Sequence, residues 1–246
     1  MSGWTLCFVA AVFLLAGLVK GVLGLGLPTI SMGLLALVMP PVEAAALLVL
    51  PSFLTNVWQM LDGSSLKAVV MRLWPMMLAV CAGTWAGAGL MTGAYASYAT
   101  ELLGVTLALY ALTGFTALDV AVPRRHERWI GVLAGAITGV VTAATGVFVI
   151  PAVPYLQAIG LQKDDLVQAL GLSFTVSTLA LAVNLAHAGI VNGALAAVTL
   201  VAVVAAVVGM WFGQVGRARL HPAMFRRVFF LGLLGLGLYL AAGALR

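Results

Sequence analysis

Two uncharged stretches, one in each half of the chain, constrain its fold more than any other feature. Residues 3–42 carry a single charge, Lys20, and residues 129–162 carry none. At about 1.5 Å of rise per residue, the second stretch as one helix would run about 51 Å, against about 30 Å of hydrocarbon in a bilayer. Each stretch is too long for one crossing and too short for two full ones, so each must break or turn back. Glycine, proline and threonine mark the break: Gly21-Val-Leu-Gly24-Leu-Gly26-Leu-Pro28 in the first, and Gly139-Val-Val-Thr142-Ala-Ala-Thr145-Gly146 with Pro151 and Pro154 in the second. Interrupted apolar segments at matching places in two halves are the sequence sign of a transporter's binding region.

With 63% hydrophobic and 8% charged residues and a mean hydropathy of +1.16, the chain has too little polar surface to cover a water-soluble globule. Further uncharged runs lie between Arg72 and Glu101, Glu101 and Asp119, Asp165 and Arg217, and from Val228 to Leu245. Their lengths suit helices and not the alternating ten-residue strands of an outer-membrane barrel. The run from Leu166 to Gly216 needs a turn, which His187-Ala-Gly-Ile-Val-Asn-Gly193 supplies. The N-terminus lacks the basic region and cleavage site of a signal peptide and reads as retained. Cys7 and Cys81 fall inside predicted spans and read as packed apolar side chains.

Counting each broken stretch as two short passes gives segments near 3–20, 24–39, 43–61, 68–91, 99–118, 129–145, 147–159, 165–187, 190–215 and 224–245. The expected fold is therefore all-α, a polytopic transmembrane helix bundle built of two inverted repeats with broken or re-entrant first helices. Residues 1–122 form the first transmembrane repeat, 123–128 a cytoplasmic linker and 129–246 the second repeat. This arrangement puts Lys20, Lys67, Arg72, Arg124, Arg125, Arg128, Lys163, Arg217, Arg219, Arg226 and Arg227 toward one face, leaving only Arg246 elsewhere. Basic loops then lie in the cytoplasm and both termini outside, whereas single unbroken spans would split the arginine loops across the membrane. The halves also correspond residue by residue. Gly17-x-x-x-Gly21 matches Gly135-x-x-x-Gly139, and Glu43 followed by Pro51-Ser52-Phe53 matches Asp164 followed by Leu172-Ser173-Phe174.

The run Gly17-Leu-Val-Lys20-Gly21-Val-Leu-Gly24-Leu-Gly26, an acidic residue, then Ala44-Ala-Ala-Leu-Leu-Val-Leu-Pro51-Ser52-Phe-Leu-Thr55-Asn56-Val-Trp58-Gln59, resembles the TauE/SafE family of sulfite and organosulfonate exporters. The second half resembles the family's repeat through Gly135-x-x-x-Gly139, Pro151 and the Ser173/Ser177/Thr178 helix, so the likeness covers about residues 5 to 243. The chain departs from the family's denser glycine cluster at Leu27-Pro28 and Ala143-Ala144-Thr145. The resemblance implies a proton-coupled transporter of small sulfur-containing or carboxylate anions in the cell inner membrane.

An anion in a membrane needs fixed donors, because burying an isolated charge is costly. Half-helix ends at Gly24, Gly26, Thr145 and Gly146 would supply free N–H groups and a partial positive charge; the other reading of these glycines is tight helix packing. Ser52, Thr55, Asn56 and Gln59 share one helix face by their spacing of three and four, and Ser173, Ser177 and Thr178 offer a counterpart. They line a substrate path or glue helices by hydrogen bonds. Lys20 either pairs with the anion or snorkels to the interface. Glu43 and Asp164 stabilise helix N-termini, and His126, His187 and His221 read as solvated or interfacial.

The expected partners are a small anionic substrate and membrane lipid, with a homo-oligomer compatible with the small-residue faces. Net charge +5 would suit nucleic acid in another setting, but no nucleic-acid module accompanies it. No cofactor or metal motif, nucleophile elbow, phosphate loop or channel filter occurs in the sequence, which points away from an enzyme, an ATP-driven pump or a channel. The rival reading is a non-transporting sensor or assembly subunit.

Overall fold

The computed structural model describes residues 3–93, 95–115, 121–190, 195–217 and 221–243. Among them the chain is all helical. Its first five α-helices are α1 (Gly3–Leu23), α2 (Leu27–Leu35), α3 (Pro41–Leu61), α4 (Leu66–Ala86) and α5 (Ala99–Phe115), the last preceded by a 3-10 turn at Ala96–Tyr98. The other five are α6 (Arg124–Thr145), α7 (Ala152–Ala158), α8 (Lys163–His187), α9 (Ala196–Gly216) and α10 (Pro222–Ala242). Eight helical segments of 20 to 25 residues, with mean hydropathy from 1.2 to 2.5, are long and apolar enough to cross a membrane. This is a multi-pass membrane protein. Helix α2 has 9 residues and α7 has 7, about 13 and 10 Å of rise, so neither can cross alone.

Both short helices follow the predicted breaks. Gly26 caps the start of α2 at φ 111°, and a Cβ there would fall 2.9 Å from Val19 Cγ1. Gly146 closes α6 at φ 71°, where a Cβ would fall 2.9 Å from Met32 Cε. Left-handed backbone and close neighbours together make these positions glycine's. Beyond Gly146 the chain runs through Val147, Phe148 and Val149, all fully buried, before α7 begins. Several predicted segment boundaries shift: α2 is confined to Leu27–Leu35 within the expected 24–39, and α7 starts at Ala152 instead of 147. Helix α1 continues to Leu23, α4 stops at Ala86 ahead of the Gly87/Gly89 turns, and α6 starts at Arg124, inside the stretch expected as a linker.

Four helix pairs carry most of the packing: α1 with α9, α4 with α6, α3 with α8 and α5 with α10. Their directions can be read from the glycines. A Cβ on Gly17 would lie 2.2 Å from the Ala206 carbonyl, and one on Gly21 2.2 Å from that of Met210. Contacts that advance together mean parallel helices, so α1 and α9 run the same way. Cβ atoms on Gly135 and Gly139 of α6 would fall 2.4 and 2.3 Å from the Met76 and Val80 carbonyls of α4, so that pair is parallel too. Helices α5 and α10 run antiparallel, since Gly104 meets Gly237 and Ala241 whereas Gly114 meets Phe230. Helices α3 and α8 are also antiparallel, with Ser52 against Thr178 and Met60 against Gly171. Small residues at i and i+4 allow this backbone approach, and dispersion plus close packing hold such helices together in lipid.

At one end of the bundle Arg72 of α4 gives two hydrogen bonds to Glu127 of α6, at 2.5 and 2.9 Å. Its Nη2 also donates to the Ile159 carbonyl at 2.8 Å. Tyr155 of α7 donates its hydroxyl to the Glu127 carbonyl at 3.0 Å. The start of α4, the start of α6 and the end of α7 are thereby tied together.

Candidate functional site

Lys20 lies in the last turn of α1 and is 3% exposed. It does not snorkel: its Nζ donates to Asn56 Oδ1 of α3. Asn56 Nδ2 donates in turn to Ser52 Oγ at 2.9 Å and reaches Thr178 Oγ1 of α8 at 3.4 Å. Ser52 and Thr178 hydroxyls stand 3.3 Å apart. Lys20, Ser52, Asn56 and Thr178 are all nearly or fully buried. Among the described residues the one ion pair joins Arg72 and Glu127, so no described carboxylate faces the Lys20 ammonium.

Such a group is costly in a bilayer unless something compensates it. One amide oxygen does so only in part, since an ammonium has three donors. The cluster also sits where the chain's two halves meet. Ser52 is near the middle of α3 and Thr178 a little past the middle of α8, so their contact lies far from either end of these helices.

Gln59 and Gln168 form a second junction between the same helices. Gln59 Nε2 donates to the carbonyls of Gly24 and Val167, both at 3.0 Å. Gln168 Nε2 donates to the Met60 carbonyl at 2.8 Å, and its Oε1 accepts from the Ser65 N–H at 3.1 Å. This reciprocal amide clasp also fixes the break after α1 to the end of α3. Gln168 was passed over in the sequence, although a glutamine in an apolar helix face one turn after Asp164 was a usable signal.

The remaining predicted residues have different surroundings. Thr55 turns its hydroxyl onto its own helix, at 2.8 Å from the Pro51 carbonyl. Thr145 likewise donates to Val141 at 2.7 Å, and its oxygen accepts from the Val147 N–H at 3.2 Å. The glycines at the breaks differ from expectation in one respect. Gly24 N–H closes on the Lys20 carbonyl at 2.7 Å, and Gly146 N–H on that of Thr142 at 2.9 Å. These donors serve their own helix ends, as left-handed capping glycines ordinarily do. Gly146 faces Met32 and Ala45, an apolar setting.

Ser173 and Ser177 are fully buried, and their hydroxyls have no hydrogen-bond partner. Gln59 Oε1 and Ser31 Oγ share that condition. Buried orphan polar atoms are uncommon and call for a missing partner such as water, an ion or a ligand. The correspondence expected from the sequence pairs Ser173 and Ser177 with Ser52 and Asn56, and Thr138 with Lys20. Thr138 instead donates to Ala134 at 2.7 Å, so the cation belongs to the first half alone.

Glu43 and Asp164 stand in the first turns of α3 and α8, where a carboxylate complements the helix dipole. Trp58 is well exposed. Cys7 and Cys81 are free thiols, and Cys7 lies on the outer surface instead of packing inside. Among the described residues no histidine, cysteine and carboxylate group gathers into a metal-binding set. Val191, Asn192 and Gly193 of the predicted turn, Asp119, Arg219 and Arg246 lie outside the described residues.

No curated protein and no solved structure matches the chain significantly. Its residues 9–240 match the model of the family described as "Sulfite exporter TauE/SafE". That match covers nearly the whole sequence, breaks and lysine included, and its members are exporters of sulfite and related anions, transporters and not enzymes. The chain belongs to the TauE/SafE sulfite exporter family.

Proposed function

We propose that this protein is a secondary transporter that moves one small anion across the cell inner membrane by alternating access between two inverted halves. The observation that carries the reading is Lys20, a buried cation with no described carboxylate partner, at the junction of the halves. An anionic oxygen of sulfite, an organosulfonate or a carboxylate supplies the charge the site lacks. Asn56 Nδ2, Ser52 and Thr178 add hydrogen bonds, and the orphan hydroxyls of Ser173 and Ser177 complete the lining from the second half. Gln59 holds the α1 break in place beside the site.

The helix pairing supports the inverted arrangement. Exchanging α1–α5 for α6–α10 turns the α1–α9 pair into α6–α4 and returns α3–α8 and α5–α10 to themselves. A tight turn reverses the chain between α3 and α4. Lys20–Asn56 and Gly24–Gln59 contacts advance together, so α1 parallels α3. Helix α6 parallels α4 and so opposes α1, its counterpart; α8 opposes α3 in the same way. Two such halves around a midplane site can rock past each other. The basic helix ends near Arg72, Arg124 and Arg128 face the cytoplasm on this reading, and both termini lie outside.

The test is flux in proteoliposomes against sulfite, thiosulfate, sulfoacetate, taurine and small carboxylates, with and without a pH gradient. Flux of one of these anions that responds to the gradient is expected and would establish proton coupling. Flux indifferent to the gradient would remove the coupling but keep the transporter. Silence across the panel with folded protein would favour a sensor or assembly subunit.

A further inference from the structure

We propose that the cleft between the starts of α4 and α6 is a binding site for the headgroup of one anionic phospholipid. The cleft has a volume of about 460 Å³ and is lined by Met71, Arg72, Trp74, Arg124, Glu127 and Arg128, among others. Arg72 and Glu127 neutralise each other through their paired hydrogen bonds. Arg124 and Arg128 are exposed, and neither has an acidic partner among the described residues. The Arg128 guanidinium lies over the Trp74 ring, 5.2 Å from its centroid. That stacking holds the guanidinium in place while leaving its N–H edge available to a phosphate. The cleft therefore offers two guanidiniums without an acidic partner, that of Arg128 held by its stacking on Trp74, with fork geometry suited to phosphate oxygens.

A lipid fits better than a free anion because of what adjoins the cleft. Met71, Trp74, Leu78 and Trp85 recur along one face of α4 and are all exposed. Trp129, Leu133, Ile137 and Val140 do the same along α6. Both helices run parallel, so the two apolar faces descend side by side from the arginines. A phosphate at Arg124 and Arg128 would thus have acyl chains along these faces, and Trp74 and Trp129 would sit at headgroup depth. Basic pockets between membrane helices on the cytoplasmic side recognise anionic headgroups in this way.

The experiment is native mass spectrometry of the full chain in detergent, titrated with phosphatidylglycerol and with phosphatidylcholine of the same chains. Retention of phosphatidylglycerol over phosphatidylcholine is expected. An R124Q/R128Q variant should bind it about 25-fold more weakly, from about fivefold per basic residue near an anionic lipid. Removing two charges elsewhere on that end of the bundle, in K163Q/R227Q, should change binding less than twofold. R124K/R128K should recover only part of the affinity, because lysine restores the two charges but neither the guanidinium fork nor the stack on Trp74; any recovery over R124Q/R128Q separates charge from misfolding. Equal retention of the two lipids, or equal losses in both double variants, would overturn the site. Displacement of the lipid by inorganic phosphate at matching concentration would overturn the lipid assignment and leave a soluble-anion site.

Discussion

A double-mutant cycle on Lys20 and Asn56 tests the site energetically as well as functionally. In Asn56→Leu the ammonium loses its one described acceptor, and a hydrogen bond to a charged group is worth about 1.5–3 kcal/mol. Destabilisation of about 2–3 kcal/mol is therefore expected. In Lys20→Met two terms oppose each other. Removing a lysine from the span relieves about 2.5–3.5 kcal/mol on insertion scales, whereas orphaning Asn56 Oδ1 costs about 1–3 kcal/mol. The net change should be small or stabilising. In the double variant neither the charge nor the orphan oxygen remains, and Ser52 and Thr178 keep each other at 3.3 Å. Because the double variant avoids both the lost bond and the orphaned oxygen, the coupling energy should be about 3–6 kcal/mol in magnitude, at or above the about 0.5–3 kcal/mol usual for residues in direct contact. Reversible unfolding in one detergent, followed by circular dichroism, reads all four corners. Additivity within about 0.5 kcal/mol, the usual tolerance for independent sites, would show that Lys20 and Asn56 do not share a buried contact. Proteoliposome flux adds the functional arm: all three variants should be inactive, the stable Lys20→Met included, which folding loss could not explain.

Other outcomes follow from packing and polarity. Gly21→Ala puts a Cβ 2.2 Å from the Met210 carbonyl, so it should separate α1 from α9 and lower the melting temperature sharply. Gly232→Ala, with nothing within 4 Å, should leave the melting temperature unchanged or raise it, since the helix propensity gained is worth up to about 1 kcal/mol. Ser173→Ala and Ser177→Ala remove hydroxyls that have no partner, so stability should hold while flux falls at least several-fold; full flux would exclude them from the site. A cysteine at His126 should resist an impermeant thiol reagent added outside intact cells, and labelling there would reverse the proposed orientation.

The breaks were legible because glycine and proline act locally: positive φ at Gly26 and Gly146 is written in the residue itself. Helix ends near charges were not. Helix α6 begins at Arg124 because charged residues at a membrane surface continue a helix without cost, so hydropathy alone starts it too late. What pattern alone does not show is that the N–H groups of Gly24 and Gly146 are engaged by the ends of their own helices. Lys20 and Asn56 were both visible as polar residues in apolar runs. Their contact joins positions 36 residues apart, and Thr178 enters from 122 away. Neither distance leaves a trace in local pattern; only the parallel and antiparallel crossings bring the three together. Ser52, Asn56 and Gln59 were predicted to share a face, which the structure bears out, while Thr55 of the same stripe satisfies itself on its own backbone.

The most direct measurement is equilibrium binding of radiolabelled sulfite to the purified protein in detergent, compared between wild type and Lys20→Met. The account predicts saturable binding at one site per chain in the wild type, displaced by competing small anions, and its loss in a variant whose fold is intact. Equal saturable binding by both proteins would place the anion away from Lys20 and contradict the account.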